Sequence, residues 1–224
     1  MGELPERDRP RERLLSGGPR SLTDEELVAV LLGTGTPERP VLETARELLR
    51  CGGLHGLLRR AEPAAAMLDS GIGPAKTARI LAAVEIARRL LREDLRERDV
   101  VDGPEAAARY LLTSLASEAR EVMGALLLDA RNRLLEDHVV FRGTTTVTAV
   151  APGPLFRAAV VAGASGLLVY HNHPSGDPSP SVEDHATTRR LVEAGRLLGI
   201  EVRDHLVVGR GSWVSFRQQG WLPA

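Results

Sequence analysis

The fourteen residues 171–184, reading His-Asn-His-Pro-Ser-Gly-Asp-Pro-Ser-Pro-Ser-Val-Glu-Asp, restrict the chain around them more than any other stretch. Pro174, Gly176, Pro178 and Pro180 neither continue a strand nor sit inside a helix, so this segment must be a loop joining two regular elements. Upstream, residues 166–170 read Gly-Leu-Leu-Val-Tyr, a short apolar run of the kind that forms a strand buried on both faces. If residues 171–173 continue that strand, a side-chain period of two sends the imidazoles of His171 and His173 to one side and Asn172 to the other. Downstream, residues 186–198 are rich in Ala, Leu, Arg and Glu and contain no proline, which predicts a helix opened at Ser181. Asp184 then falls in the first helical turn, where a loop folding back over the strand end brings its carboxylate towards the histidines.

Two neutral imidazoles and one carboxylate are the usual protein share of a catalytic zinc, whose fourth position is left for water. A cysteine-rich structural site is excluded, because Cys51 is the only cysteine. Ser181-Val-Glu-Asp184 also fits the Ser-x-x-acid capping pattern of a helix start, and capping does not preclude ligation. On spacing alone, Asp177 and His185 compete with Asp184 for the third position.

The full pattern, His171-Asn-His173 followed after seven residues, the first of them Pro174, by Ser181-x-x-Asp184, resembles the JAMM signature of the JAB/MPN metalloprotease superfamily. Its wording here, His-Asn-His-Pro-Ser-Gly-Asp-Pro-x-Pro-Ser, is similar to the bacterial RadC branch. Further agreement lies in residues 128–133, 141–144, 188–195 and 204–209, so the resemblance covers nearly the whole chain. It implies a cytidine-deaminase-like α/β domain with a curved sheet flanked by helices, and Zn2+ held by His171, His173 and Asp184. One departure is visible: after Thr144 the branch pattern leads through Pro-Arg-Glu into a helix, whereas Pro152-Gly153-Pro154 stands here. That bears on substrate contacts more than on metal binding.

At 224 residues and 43% hydrophobic the chain can bury one large core or two modest ones. Aromatics are only 3%, so Leu, Val and Ala must build those cores. Residues 1–95 carry 15 basic and 15 acidic side chains and residues 96–224 carry 14 and 15, so neither part has the net positive charge that strong non-specific nucleic-acid binding draws on. The start, Met-Gly-Glu-Leu-Pro-Glu-Arg, contains no apolar signal segment, and no apolar run approaches the length of a membrane span. A cytoplasmic location is the expectation.

Residues 1–19, charged and proline-bearing, read as a flexible or loosely docked arm. A first helix is predicted after the polar Ser21-Leu-Thr23-Asp24 start, with Leu27, Val30 and Leu31 as its apolar face, and a second over 41–49. Residues 68–78, Leu-Asp-Ser-Gly71-Ile72-Gly73-Pro74-Ala-Lys76-Thr-Ala, look like a helix-hairpin-helix, whose glycine turn and free backbone N–H groups can hold a DNA phosphate with Lys76 as a nearby cation. The competing reading is an αα-turn that uses glycine for geometry and plugs Ile72 into a core. A long helix over 75–91 follows, with Ala78, Leu81, Ala82 and Ile86 as its apolar side, ending in a charge run. The domain boundary is placed near Asp99, giving a small all-α domain over 1–98 and an α/β domain over 99–224.

In the second domain an amphipathic helix over 104–115 precedes strands over 122–128 and 134–141, joined by the turn 129–132. Residues 143–148 are β-prone, 155–162 form a helix, and 202–208 and 213–216 supply closing strands. The family resemblance implies a general base upstream of the histidines at a strand start, and Glu121 matches it, with Glu118, Glu136 and Asp137 as rivals. It likewise implies that the Ser181 hydroxyl steadies a tetrahedral oxyanion. His205, beside Asp204, is read either as support for a metal-site histidine or as a core residue, and His55 and His138 as structural or surface groups. The function expected from the resemblance is a zinc-dependent peptidase or isopeptidase acting on a protein or peptide. A DNA-binding, repair-associated module working through Gly71, Gly73 and Lys76 is the rival of a different class, and a metal-dependent phosphoesterase a third reading. A nucleobase deaminase is disfavoured, because its Pro-Cys-x-x-Cys ligand pair is absent.

Overall fold

A computed structural model of the chain describes residue 5 and residues 9–50, 52–61, 72–97, 103–116, 118–143 and 151–223. The chain divides into two units, Met1–Ala87 and Arg88–Ala224. The boundary expected near Asp99 falls outside the described residues, as do Gly71 and the strand-prone residues 144–148.

The first unit is helical: α1 (Pro10–Gly17), α2 (Asp24–Leu32), α3 (Val41–Leu49), α4 (Gly53–Ala61) and the start of α5 (Gly73–Glu97). Part of the expected arm is therefore ordered as α1. Proline at its first position supplies a preset φ and lacks only an N–H that would have no partner there. Arg13 then ties α1 to the next segment through the Glu26 carboxylate and the Ser21 carbonyl. Helix α2 starts at a reciprocal capping box, in which Thr23 accepts from the Glu26 N–H and Glu26 accepts from the Thr23 N–H.

Two apolar faces differ from expectation. Helix α2 buries Val28, Ala29 and Leu32, with Leu27, Val30 and Leu31 only half buried. From Leu27 onward α2 is apolar all round, so periodicity could not choose its inner side. Helix α5 directs Thr77 and Ile80 inward while Ile86 is 60% exposed. Ile72 is buried among Val28, Leu32, Ala45 and Leu48, as the αα-turn reading requires.

The second unit is an α/β layer structure. Helix α6 (Pro104–Ser114) precedes β1 (Glu121–Leu128) and β2 (Leu134–Gly143); then come α7 (Pro152–Ala162), β3 (Gly166–Asn172), α8 (Val182–Leu198), β4 (Glu201–Val208) and β5 (Trp213–Ser215). The five strands form one sheet in the order β2-β1-β3-β4-β5. All neighbours are antiparallel except β3 and β4, which are parallel and therefore need the crossover that α8 provides. Every residue of β3 is buried, consistent with its central place and continuous apolar sequence. One face packs Val122, Leu126, Leu168, Tyr170 and Leu206 against α6 residues such as Leu111. The other packs Met123, Ala125, Leu127, Leu167 and Val169 against Phe156 of α7 and Leu191 of α8. Each fully buried Leu or Val contributes about 1.5–3 kcal/mol, so β3 is anchored from both sides.

Tyr170 reaches across Gly124 of β1 to Asp137 of β2, donating to Oδ1 at 2.6 Å, while Tyr110 of α6 donates to Oδ2 at 2.6 Å. Gly124 is required for this crossing, because a Cβ there would lie 2.6 Å from the Tyr170 hydroxyl oxygen and from the His138 carbonyl oxygen.

Candidate metal centre

The histidine pair arises from the end of β3. His171 is the register partner of Met123, so its ring lies on the α7/α8 face, at the edge of the apolar layer. The ladder carries one residue further through the His173 N–H, which donates to the Val208 carbonyl at 2.9 Å. His173 thus stays in extended register and shares the face of His171. The chain then turns: the Gly176 N–H donates to the His173 carbonyl at 2.9 Å, and Gly176 takes a φ of +94°, a conformation suited to glycine. The Ser179 N–H donates to Asp177 Oδ1 at 2.9 Å, shaping the loop so that the Asp177 carbonyl meets His173 Nδ1 at 2.8 Å. A carbonyl only accepts, so Nδ1 carries the proton and Nε2 faces the centre with its lone pair.

Helix α8 supplies the acid. Ser181 is its N-cap: Ser181 Oγ accepts from the Asp184 N–H at 3.1 Å, and Asp184 Oδ2 accepts from the Ser181 N–H at 2.7 Å. The Ser181 hydroxyl also donates to Asp184 Oδ2 at 2.7 Å, which is where its proton points. Capping thereby orients the carboxylate instead of competing with ligation. Oδ1 is left facing His171 Nε2 at 3.2 Å, while Oδ2 is 3.5 Å from His173 Nε2. Burial works against the charge of Asp184, but the imidazoles of His171 and His173 beside its two oxygens prevail and hold its carboxyl well below the usual range. The neighbouring Asp184 carboxylate conversely raises His173.

Among the described residues, His171, His173 and Asp184 form a group able to share one ion. The two Nε2 atoms are 3.0 Å apart. Four ligands held tetrahedrally about zinc at its usual bond lengths sit about 3.3 Å from one another. His171 Nε2 lies near that spacing from both His173 Nε2, at 3.0 Å, and Asp184 Oδ1, at 3.2 Å, while His173 Nε2 is 3.5 Å from the other carboxylate oxygen, Oδ2; the three candidate ligand atoms lie within 4.8 Å of one another. The two rivals for the third position lie elsewhere: Asp177 contributes only its carbonyl, and the His185 ring packs beside Phe216 and Trp221.

Glu121, the first residue of β1, is half buried, and its environment includes the charges of all three. Burial raises its carboxyl above the ordinary value; His171 and His173 pull it down and Asp184 pushes it up. Its position is fixed by a residue that the sequence reading left idle. Asn172 points to the opposite side from the histidines, where its Oδ1 accepts from the Val122 N–H at 2.7 Å and its Nδ2 donates to the Arg120 carbonyl at 3.2 Å. Both neighbours of Glu121 are thereby pinned to the strand that carries the histidines. The three rival acids are engaged elsewhere, Glu118 with Arg142, Glu136 with His138 and Asp137 with the tyrosines.

His205 of β4 is fully buried, its Nε2 2.8 Å from His171 Nδ1 and its Nδ1 2.7 Å from Thr188 Oγ1. Asp204 does not orient this ring. Its carboxylate accepts instead from the His205 N–H at 2.7 Å, the Ser215 hydroxyl at 2.6 Å and the Arg217 N–H at 2.9 Å. Phe216 stacks on the other side of the ring, with centroids 4.9 Å apart. Burial lowers the basicity of His205 well below that of free imidazole.

In the first unit, Gly73 takes a φ of +73° and Lys76 donates its ammonium to the Gly35 carbonyl. No described helix is long and apolar enough to cross a membrane.

Residues 101–221 match the family model of the RadC-like JAB domain, and residues 1–78 match that of the UPF0758 N-terminal region. A UPF0758 protein of Symbiobacterium thermophilum is 46% identical over 229 residues, covering 99% of this chain and 97% of its own. A UPF0758 protein of Burkholderia cenocepacia is 46% identical over 218 residues, with 96% and 84% covered, and one of Geobacillus kaustophilus is 40% identical over 222 residues, with 98% and 97% covered.

Proposed function

Because this chain belongs to the RadC-like JAB family, we propose that it is a zinc-dependent hydrolase that cleaves an amide bond of the peptide or isopeptide kind. The observation that carries this reading is the convergence of His171 Nε2, His173 Nε2 and the Asp184 carboxylate within 4.8 Å of one another, with Glu121 in the same electrostatic environment.

A bound zinc would supply Lewis acidity, bringing the pKa of a coordinated water down to about 7. The chain's own residues supply the rest. Glu121, its basicity raised by burial, takes the proton of the attacking water as the water oxygen bonds to the amide carbon. The C–N bond then breaks, and the same carboxyl returns the proton to the departing nitrogen. Asn172 keeps the backbone on either side of Glu121 fixed while the proton moves in and out. Ser181 holds Asp184 through its hydroxyl; for that hydroxyl to serve a developing oxyanion, it must turn from Asp184 Oδ2.

The test begins with metal content by plasma mass spectrometry on protein purified without a histidine tag, beside a His171→Ala/His173→Ala variant. Near-stoichiometric zinc that the variant lacks is the expected result. Glu121→Gln should keep its zinc and lose about 10²–10⁴ of its turnover on a fluorogenic peptide pool. Folded wild-type protein that neither carries zinc nor can be loaded with it overturns the proposal.

A further inference from the structure

A metal-binding imidazole must present a lone pair, and whether the correct nitrogen does so depends on what the other nitrogen meets. For His173 this is settled by the Asp177 carbonyl. For His171 it is settled by a longer chain of contacts that ends on the helix carrying Asp184. Thr188, one helical turn beyond Asp184, donates its hydroxyl proton to the Asp184 carbonyl at 2.7 Å. With that proton committed, Thr188 Oγ1 can only accept from His205 Nδ1, which must therefore carry a hydrogen.

A second proton on His205 would place a cation in a fully buried pocket against the Phe216 ring, with the Asp204 carboxylate already taken by other donors. His205 Nε2 is thus a lone-pair acceptor, and at 2.8 Å it takes the hydrogen of His171 Nδ1. The lone pair of His171 is left on Nε2, 3.0 Å from His173 Nε2 and 3.2 Å from Asp184 Oδ1.

We propose that His205 is a positioning residue of the metal centre: with Thr188 it locks His171 into the tautomer that offers Nε2 to zinc, making metal affinity depend on a side chain that touches no ligand position. This rests on the zinc reading above, but the polarity of the relay can be tested without metal.

The experiment has two parts. In the first, the protonated ring nitrogen of His205 is identified in metal-free, full-length wild-type protein by long-range ¹H–¹⁵N NMR. Protonation at Nδ1 is expected, and protonation at Nε2 would overturn the relay, because it would aim a hydrogen at His171. In the second, zinc affinity is measured by competition with a chromogenic chelator. His205→Phe keeps the ring packed on Phe216 but removes the acceptor, and should weaken zinc by about 10–100-fold. His205→Gln, whose amide can accept from His171 and donate to Thr188, should recover most of that loss.

Thr188→Val should weaken zinc in the wild-type background and add nothing in His205→Phe, the non-additivity expected of one chain of contacts. Wild-type affinity in His205→Phe, or a Gln variant as weak as the Phe variant, overturns the proposal. If wild-type protein binds no zinc at all, the proposed function falls, and the tautomer of His205 still decides the relay.

Discussion

Replacing Asn172 with alanine probes whether Glu121, the proposed base, is held by the backbone on either side of it. Asn172 is almost wholly buried and makes two backbone hydrogen bonds, one to each neighbour of Glu121. Val122 is also fully buried, so its N–H would lose its only side-chain acceptor without gaining water, at a cost of about 1–3 kcal/mol. Arg120 is exposed and its carbonyl can rehydrate, so the second bond adds about 0.5–1 kcal/mol. Together these give a loss of about 2–4 kcal/mol, which for a chain of this size lowers the melting midpoint by about 4–16 °C.

Calorimetry checks the stability side. Turnover on the fluorogenic peptide pool checks the other, because a shift of about 1 Å in Glu121 is enough to cost about 10²-fold. Zinc content should stay at the wild-type level, since no ligand is touched. Asn172→Asp keeps an acceptor for Val122 but loses the donor to Arg120, so it should be less destabilised than the alanine variant at neutral pH. An alanine variant that melts with wild type and turns over normally would refute the clamp.

Other outcomes follow from the same structure. Gly124→Ala should destabilise by about 3 kcal/mol, read from urea midpoints, because its Cβ meets a hydroxyl and a carbonyl that cannot both retreat. The two tyrosines of the chain, Tyr110 and Tyr170, share Asp137, and burial foremost, with that carboxylate second, raises both above the ordinary tyrosine range. A raised folded pKa means stability that is fully present below about pH 10 and lost as pH climbs towards the folded values. Absorbance at 295 nm should therefore show no tyrosinate before the alkaline unfolding transition, and a separate earlier titration would contradict the Asp137 arrangement. Zinc added at about 100 times its dissociation constant should stabilise metal-free protein by about 2.7 kcal/mol. His173→Ala should lose most of that gain in a thermal shift assay.

Much of the second unit was legible because its local signals agree. Residues 166–173 gave the strand and the shared face of His171 and His173 by period two, and Ser181 to Asp184 gave the helix start by capping chemistry. What stayed hidden depends on which strands become neighbours. Asn172 reads as a spacer until β1 is known to lie beside β3, and the two readings of His205, support for a metal-site histidine or core residue, are not separated until β4 is known to run parallel on the other side. Asp204 misled because adjacency in sequence puts two strand side chains on opposite faces, and its carboxylate accepts from two backbone N–H groups and the Ser215 hydroxyl instead. In the first unit, uniformly apolar α2 carried no phase information, and the alternating charges before it hid a helix that proline starts and Arg13 secures.

The three candidate ligands all come from the single strand–loop–helix segment 166–198, and the residues that orient them extend it only to β4, whereas Glu121 arrives from β1, fifty residues before His171. Under the proposed function, the groups that would hold an ion and the acid that would use it are therefore carried by separate stretches of chain, so a substitution at position 121 leaves the candidate ligand set in place.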